Sequence, residues 1–269
     1  MNLSMDEYTA FIFDLDGCIY SGNTVYPAAK ELLDSLMRAG KHVLFLSNNS
    51  WQTSDTIRKK LLSMGLPVER APILATTELV GQYLMDKYGA LQLQAVGSEE
   101  LKKCLQQVGH RVFPLGSQEK CDVLVVGLDQ SFTYQKLCDC SQKLAIGGKL
   151  VVTNLDFYHP GEGGHRIPET GAFVEAIKAV AGISEVESIG KPAAYSFEMI
   201  TKQIAVGPEA CVMVGDNPYT DMQGAHAAGM FTVWISHGNK FPRDAKCKPD
   251  IVVNTIGELL DGLMNSNKR

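Results

Sequence analysis

The sequence has no apolar run approaching the ~18 residues that cross a membrane, so a spanning helix is excluded. Its seven cysteines include no pair at CxxC spacing. That odd, scattered set argues against a disulfide framework or a zinc site and for reduced thiols in a cytoplasm. Cys138 and Cys140 stand closest, but they fall in a helical pattern, where residues two apart diverge. A signal peptide is not expected, because Asp6 and Glu7 precede the first apolar stretch. Repeats and low-complexity segments are absent. Positive charge is not in excess: the formal net charge is −5, which argues against a nucleic-acid polymer or a membrane surface as partner. The one basic cluster, Lys240, Arg243, Lys246 and Lys248, lies in a Pro-containing stretch and reads as a solvated loop.

What is present is a folding composition, 45% hydrophobic and 20% charged over 269 residues, which suits one large domain and a smaller one. Thr9–Phe13 reads as a strand. A helix opens at Pro27 and closes at Gly40, and His42–Leu46 is a second unbroken apolar strand. A further helix starts near Ser54. Strand and helix alternating, with apolar strands, predicts a parallel sheet covered on both faces. The rhythm continues with a strand at Leu93–Val96, a helix capped by Ser98, a strand at Val123–Val126, a helix near Thr133–Ile146 and a strand at Leu150–Val152. Glycines and charges between Pro160 and Pro168 read as a mobile loop. Strands follow at Cys211–Val214, Phe231–Ile235 and Ile251–Val253. The expected organisation is a core domain from residues 1–81 and 183–269, with an α/β domain inserted at 82–182, although the same rhythm also fits one long sheet.

In an open parallel sheet, ligands bind beyond the carboxyl ends of the strands. Four polar signatures are expected there: Asp14-Leu15-Asp16-Gly17, Ser47-Asn48-Asn49, Gly190-Lys191-Pro192, and Gly215-Asp216-Asn217 with Asp221 nearby. Each alone is ordinary turn or cap chemistry. Together they assemble carboxylates, a hydroxyl, a lysine and glycine turns on one edge. Clustered carboxylates suit a hard cation with oxygen ligands, and Mg²⁺ fits. A cation beside a lysine and free backbone N–H groups makes an anion site, and an anion that needs Mg²⁺ is most often a phosphate ester. A carboxylate beside it can act as nucleophile, and a second one two residues on can move protons.

On those motifs the chain resembles the haloacid dehalogenase (HAD) superfamily, with DxDx, then Ser, then Lys, then GDxxxxD. It is most similar to the NagD-like type IIA phosphatases, which carry an α/β cap. Val126-Gly127-Leu128-Asp129 with Phe132-Thr133-Tyr134, Thr153-Asn154-Leu155-Asp156, and Thr170-Gly171-Ala172 extend the likeness into the inserted region. Cys18 departs mildly from the family pattern. The resemblance implies a Rossmann-like parallel-sheet core with an inserted α/β cap. It also implies a cytoplasmic Mg²⁺-dependent phosphatase acting through an aspartyl phosphate on small phosphomonoesters of the nucleotide, sugar phosphate, phosphoglycolate or pyridoxal phosphate type. Asp14 would be the nucleophile and Asp16 the acid and base. Ser47, Asn48 and Lys191 would hold the phosphoryl oxygens. Mg²⁺ would be held by Asp14, the Asp16 carbonyl and Asp216, with Asp221 supporting. Asn154, Asp156 and His159 of the cap would face the leaving group, with a surface turn before Pro160 the alternative for His159; His165 and Arg166 read either as contacts for a second anionic group or as solvated loop charges. Relatives of this type often pair through the cap, which leaves a homodimer open, although no sequence feature here forces one.

Three other enzyme readings share the fold. A dehalogenase needs neither Asp16 nor Asp216, and a phosphonatase needs an amine that Lys102 and Lys103 are poorly placed to supply. A phosphomutase shares the chemistry, and only assay separates it. From another class, a non-catalytic Mg²⁺ and phosphate-binding module would need neither an acid on a glycine-bearing turn nor a cap.

Overall fold

A computed structural model describes residues 4–160 and 165–266. The chain begins with β1 (Ala10–Phe13), buried at every position, because Ala-Phe-Ile-Phe offers no polar face to solvent. A small antiparallel hairpin follows, β2 (Tyr20–Ser21) and β3 (Thr24–Val25). Helix α1 (Ala29–Arg38) buries Ala29, Leu32, Leu33 and Leu36, the spacing of one helical face. Next come β4 (His42–Ser47), α2 (Ser54–Ser63), β5 (Ile73–Ala75) and α3 (Thr76–Tyr88).

The alternation continues through β6 (Gln92–Val96), α4 (Glu99–Gln107), β7 (Arg111–Phe113), β8 (Val123–Val126), α5 (Tyr134–Ala145) and β9 (Lys149–Val152). Ser98 and Thr133 cap α4 and α5, each hydroxyl accepting from the N–H three residues on. Strands β10 (Tyr158–Pro160) and β11 (Arg166–Pro168) pair antiparallel. The predicted loop between Pro160 and Pro168 is therefore a two-stranded ribbon at its flanks; residues 161–164 lie outside the described residues. Helix α6 (Thr170–Ala181) and the short β12 (Glu187–Ser188) come next. The chain ends with α7 (Ala194–Lys202), β13 (Cys211–Gly215), α8 (Gln223–Ala227), β14 (Phe231–Ile235), β15 (Ile251–Val253) and α9 (Ile256–Ser266).

These elements form two compact units. The first holds Met1–Ser47, Asp55–Leu74 and Lys191–Arg269; the second holds Asn48–Ser54 and Ala75–Gly190. The limits differ from 82 and 182 for plain reasons. A boundary at 82 would cut α3 in its middle, and β12 is hydrogen-bonded to β9, which carries the second unit on to Gly190.

The first unit contains a six-stranded sheet of order β15-β14-β13-β1-β4-β5, parallel from β15 through β4. From β1 the chain moves outward to β4 and β5, then returns on the other side at β13. The order reverses between β1 and β13, the place where such sheets open a crevice at their carboxyl ends. The second unit contains a parallel sheet of order β12-β9-β8-β6-β7, which reverses between β6 and β8. Val96, Leu124, Val126, Cys140, Leu144, Leu150, Val152, Val174 and Ile177 form a core where α5 and α6 cover it. His110, elsewhere in the second unit, is buried and structural. Its Nδ1 accepts from the Leu91 N–H, and its Nε2 donates to the Gly81 carbonyl. Cys138 is half-buried and Cys140 buried, both as free thiols. The basic cluster at 240–248 is exposed, as expected.

Candidate active site

Asp14 directly follows β1, and Asp216 directly follows β13, so the sheet's own reversal brings them side by side. The Asp14 N–H donates to the Val214 carbonyl at 2.9 Å, extending the ladder by one residue. Trp234 Nε1, from the neighbouring β14, donates to the Asp216 carbonyl at 2.8 Å and fixes that loop. Asp221 sits in a one-turn π-helix, Pro218–Met222, capped by Asn217, whose Oδ1 accepts from the Tyr219 N–H. One Asp221 oxygen, Oδ2, turns back to accept from the Asn217 N–H at 3.1 Å.

Carboxylate oxygens of Asp14, Asp216 and Asp221 lie within 4.8 Å of one another. Asp221 is fully buried, and Asp14 nearly so. Among them stands Lys191, itself buried, with Nζ 2.5 Å from Asp14 Oδ1 and 2.7 Å from Asp221 Oδ1. Burial lowers Lys191, but the charges and hydrogen bonds of Asp14 and Asp221 more than offset it and hold the ammonium above its usual value. Burial pushes Asp14 up to about 7, against the pull of Lys191 and with the added repulsion of Asp221 and Asp16. Asp216 is driven well above the usual carboxylate range by loss of solvent, then by Asp14 and Asp221.

Two glycines make this packing possible. A Cβ on Gly17, whose φ is +86°, would strike the Asp216 carboxylate, and one on Gly215 would strike that of Asp221. The motif glycines are thus spaces reserved for the acids.

The cluster's composition tests the fit of a cation. Three carboxylates face one ammonium, a surplus of negative charge in a poorly solvated place. A divalent ion with oxygen preference would neutralise it, and Mg²⁺ meets that description. Asp221 has one oxygen on Asn217 and the other against Lys191, so it suits support better than direct ligation. Asp14 and Asp216 are the better carboxylate ligands.

Other expected site residues are placed differently. Asp16 is exposed and outside the acidic cluster, with its Oδ2 accepting from Tyr20 Oη at 2.9 Å. Ser47 ends β4 and is buried. Lys191 was expected to follow an apolar strand of the same sheet. The strand before it, β12, is instead a half-buried Glu-Ser pair in the other sheet, and the lysine enters as the chain returns to the first unit.

In the second unit, Asn48 Nδ2 donates to Asp156 Oδ2 at 2.9 Å, and the Asn48 carbonyl accepts from Asn154 Nδ2 at 2.7 Å. These three residues bind one another within that unit. His159 Nδ1 lies 2.7 Å from Glu169 Oε1. Burial raises Glu169 above its usual range, with His159 pulling the other way. Arg166 lays its guanidinium 4.4 Å from the Tyr158 ring centre, and His165 is exposed.

Sequence reasoning missed Tyr20, Trp234, Glu169 and His237, whose Nε2 donates to the Gly17 carbonyl at 2.7 Å. Only Tyr20, four residues past Asp16, carried a positional signal.

A parallel α/β fold with acids and a lysine at its switch point suits a hydrolase-type site, and the comparisons fix the class. Residues 11–111 match the haloacid dehalogenase-like hydrolase family, and residues 188–259 match a second HAD-hydrolase-like family. The chain is 31% identical to mouse chronophin, across 94% of this chain and 92% of that protein. It is 28% identical to the 5'-nucleotidase YutF of Bacillus subtilis, across 94% and 98%. The solved 4-nitrophenylphosphatase of Thermotoga maritima superposes with a TM-score of 0.86 at 28% identity, covering 96% of this chain and 98% of that one. The chain belongs to the haloacid dehalogenase-like hydrolase family.

Proposed function

We propose that this protein is a Mg²⁺-dependent phosphatase of small phosphomonoesters that works through an aspartyl phosphate. The observation that carries the reading is the buried Lys191 ammonium held between Asp14 and Asp221 beside Asp216. Such a cluster favours an anionic, strongly charged ligand together with a cation. The end-to-end likeness to a 5'-nucleotidase and a 4-nitrophenylphosphatase supports phosphoric monoester hydrolysis.

In this reading an Asp14 carboxylate oxygen attacks phosphorus. The bond to the leaving oxygen breaks, and Asp16 gives that oxygen a proton. Asp16 then takes a proton from water, whose oxygen attacks the phosphorus of the aspartyl phosphate and releases Asp14 and inorganic phosphate. Lys191 and Ser47, with Asn48 next in the chain, hold the phosphoryl oxygens as charge shifts in the transition state. A cation bound by Asp14, Asp216 and the Asp16 carbonyl would keep Asp14 ionised and balance phosphoryl charge. We assign Asn154, Asp156 and His159 to selecting the leaving group, and the second unit to the part of a cap. The free cysteines suit a reducing, cytoplasmic setting. Among the described residues no helix is long and apolar enough to cross a membrane.

The test is phosphate release from a panel of nucleotides, sugar phosphates, phosphoglycolate and pyridoxal phosphate, with and without Mg²⁺, beside Asp14→Asn. Mg²⁺-dependent release that the variant loses by at least about 10³-fold is expected. Full turnover by Asp14→Asn would overturn the covalent route.

A further inference from the structure

Asp16 is the exposed acid of the site, and a carboxyl in water ordinarily rotates. Here it is tied. Tyr20 Oη donates to Asp16 Oδ2 at 2.9 Å, and Tyr20 is 2% exposed, so its hydroxyl depends on a protein partner. The phenol is itself fixed. Lys60 Nζ lies 4.1 Å from the ring centre, β2 pairs Tyr20 with Val25, and the Gly17 N–H donates to the Tyr20 carbonyl at 2.8 Å. The same residue thus holds both the backbone after Asp16 and its carboxylate.

We propose that Tyr20 is a positioning residue for proton transfer to the leaving oxygen. The tyrosine hydrogen bond at Oδ2 limits rotation of the Asp16 carboxyl and so sets the direction in which it gives its proton. A misplaced acid loses rate steeply, because proton transfer needs hydrogen-bond reach to the departing oxygen. The inference rests on the reading of Asp16 as the acid.

Tyr20→Phe keeps the ring, its burial and the Lys60 contact while removing the hydroxyl. The readout is kcat/KM, which covers the steps up to departure of the leaving group. It is compared between an alkyl phosphate, whose leaving oxygen needs the proton, and 4-nitrophenyl phosphate, whose leaving group departs without one. Tyr20→Phe is expected to lower kcat/KM for the alkyl ester about 10-fold to 100-fold and for the nitrophenyl ester less than about twofold. Asp16→Asn should show the same split, larger. If Asp16→Asn splits the substrates and Tyr20→Phe lowers both equally or neither, the inference is overturned and the Asp16 reading stands. If Asp16→Asn produces no split, both fall. Thermal melts establish that the variants are folded. Should Tyr20→Phe fold poorly, 3-fluorotyrosine at position 20 alters the phenol's acidity at nearly constant size. It must then change the alkyl rate and spare the nitrophenyl rate, or the inference fails.

Discussion

The two units each contain a parallel sheet with a reversal of strand order, and the two reversals have opposite fates. Beyond β1 and β13 stand three acids and a lysine in surplus negative charge. Beyond β6, β8 and β9 the space is taken by the protein's own chain, residues 48–54. There Ser50 Oγ accepts from the Leu128 N–H at 3.2 Å and pairs with Thr170 Oγ1 at 2.9 Å. The Thr53 N–H donates to Glu100 at 2.7 Å, and Asn154 and Asp156 grip Asn48. One crevice is left charged and wanting a partner, and the other is filled and satisfied. Topology makes the crevice, but the residues at its rim decide whether it binds a ligand or its own polypeptide.

The difference is broken most severely at Lys191. Lys191→Met removes the only cation the described residues place against Asp14 and Asp221, leaving buried acids unanswered. It should cost about 3–5 kcal/mol in metal-free urea denaturation, and Mg²⁺ should restore more stability to the variant than to the parent.

The pH dependence should run in opposite directions at Asp14 of the first unit and Glu187 of the second. Asp14, raised to about 7 in the folded state, binds a proton that the unfolded chain has released above the usual carboxylate range. Metal-free stability should therefore fall as pH rises from about 4 to about 7, and Mg²⁺ should flatten that fall. In the second unit Glu187 is held down at about 2. Its burial acts the other way, but the hydrogen bonds from Lys149, Tyr83, Lys87 and Tyr88 prevail. That contribution is present above the unfolded carboxylate value and is lost as pH falls toward 2. Glu187→Gln should remove it from acid melts while leaving the slope between 4 and 7 intact.

The smallest effect is expected where the second crevice is filled. Ser50→Ala leaves the Leu128 N–H without its hydroxyl and should cost about 1–3 kcal/mol. A variant as stable as the parent in thermal melts would mean that 48–54 merely lies there and does not brace the sheet.

Much of the fold was legible because its strands are unbroken apolar runs. Phe11-Ile12-Phe13, Leu124-Val125-Val126 and Val212-Met213-Val214 leave a covered parallel sheet as the economical solution. Ser98 announced its helix by cap chemistry. Helix α3 was not legible, because it starts straight from β5 at Ala75 with no capping side chain. The β10–β11 ribbon was hidden by its composition, which is turn-like and exposed in β11. The core acids, Ser47 and Lys191 stood out only as a set, since each signature alone is ordinary turn or cap chemistry. The expected sheet for Lys191's preceding strand was wrong, because a two-residue Glu-Ser strand carries no periodicity.

By itself the sequence determined the element types, the alternation that requires parallel sheets, and the residues with chemistry to offer, since propensity and periodicity are local properties. Only the tertiary structure decided that the chain divides at 47, 54, 74 and 190, that Lys191 reaches Asp14 across 177 residues, and that Tyr20 holds Asp16. Those outcomes depend on which strands become neighbours and on where burial removes water, and neither is a property of any short stretch of chain.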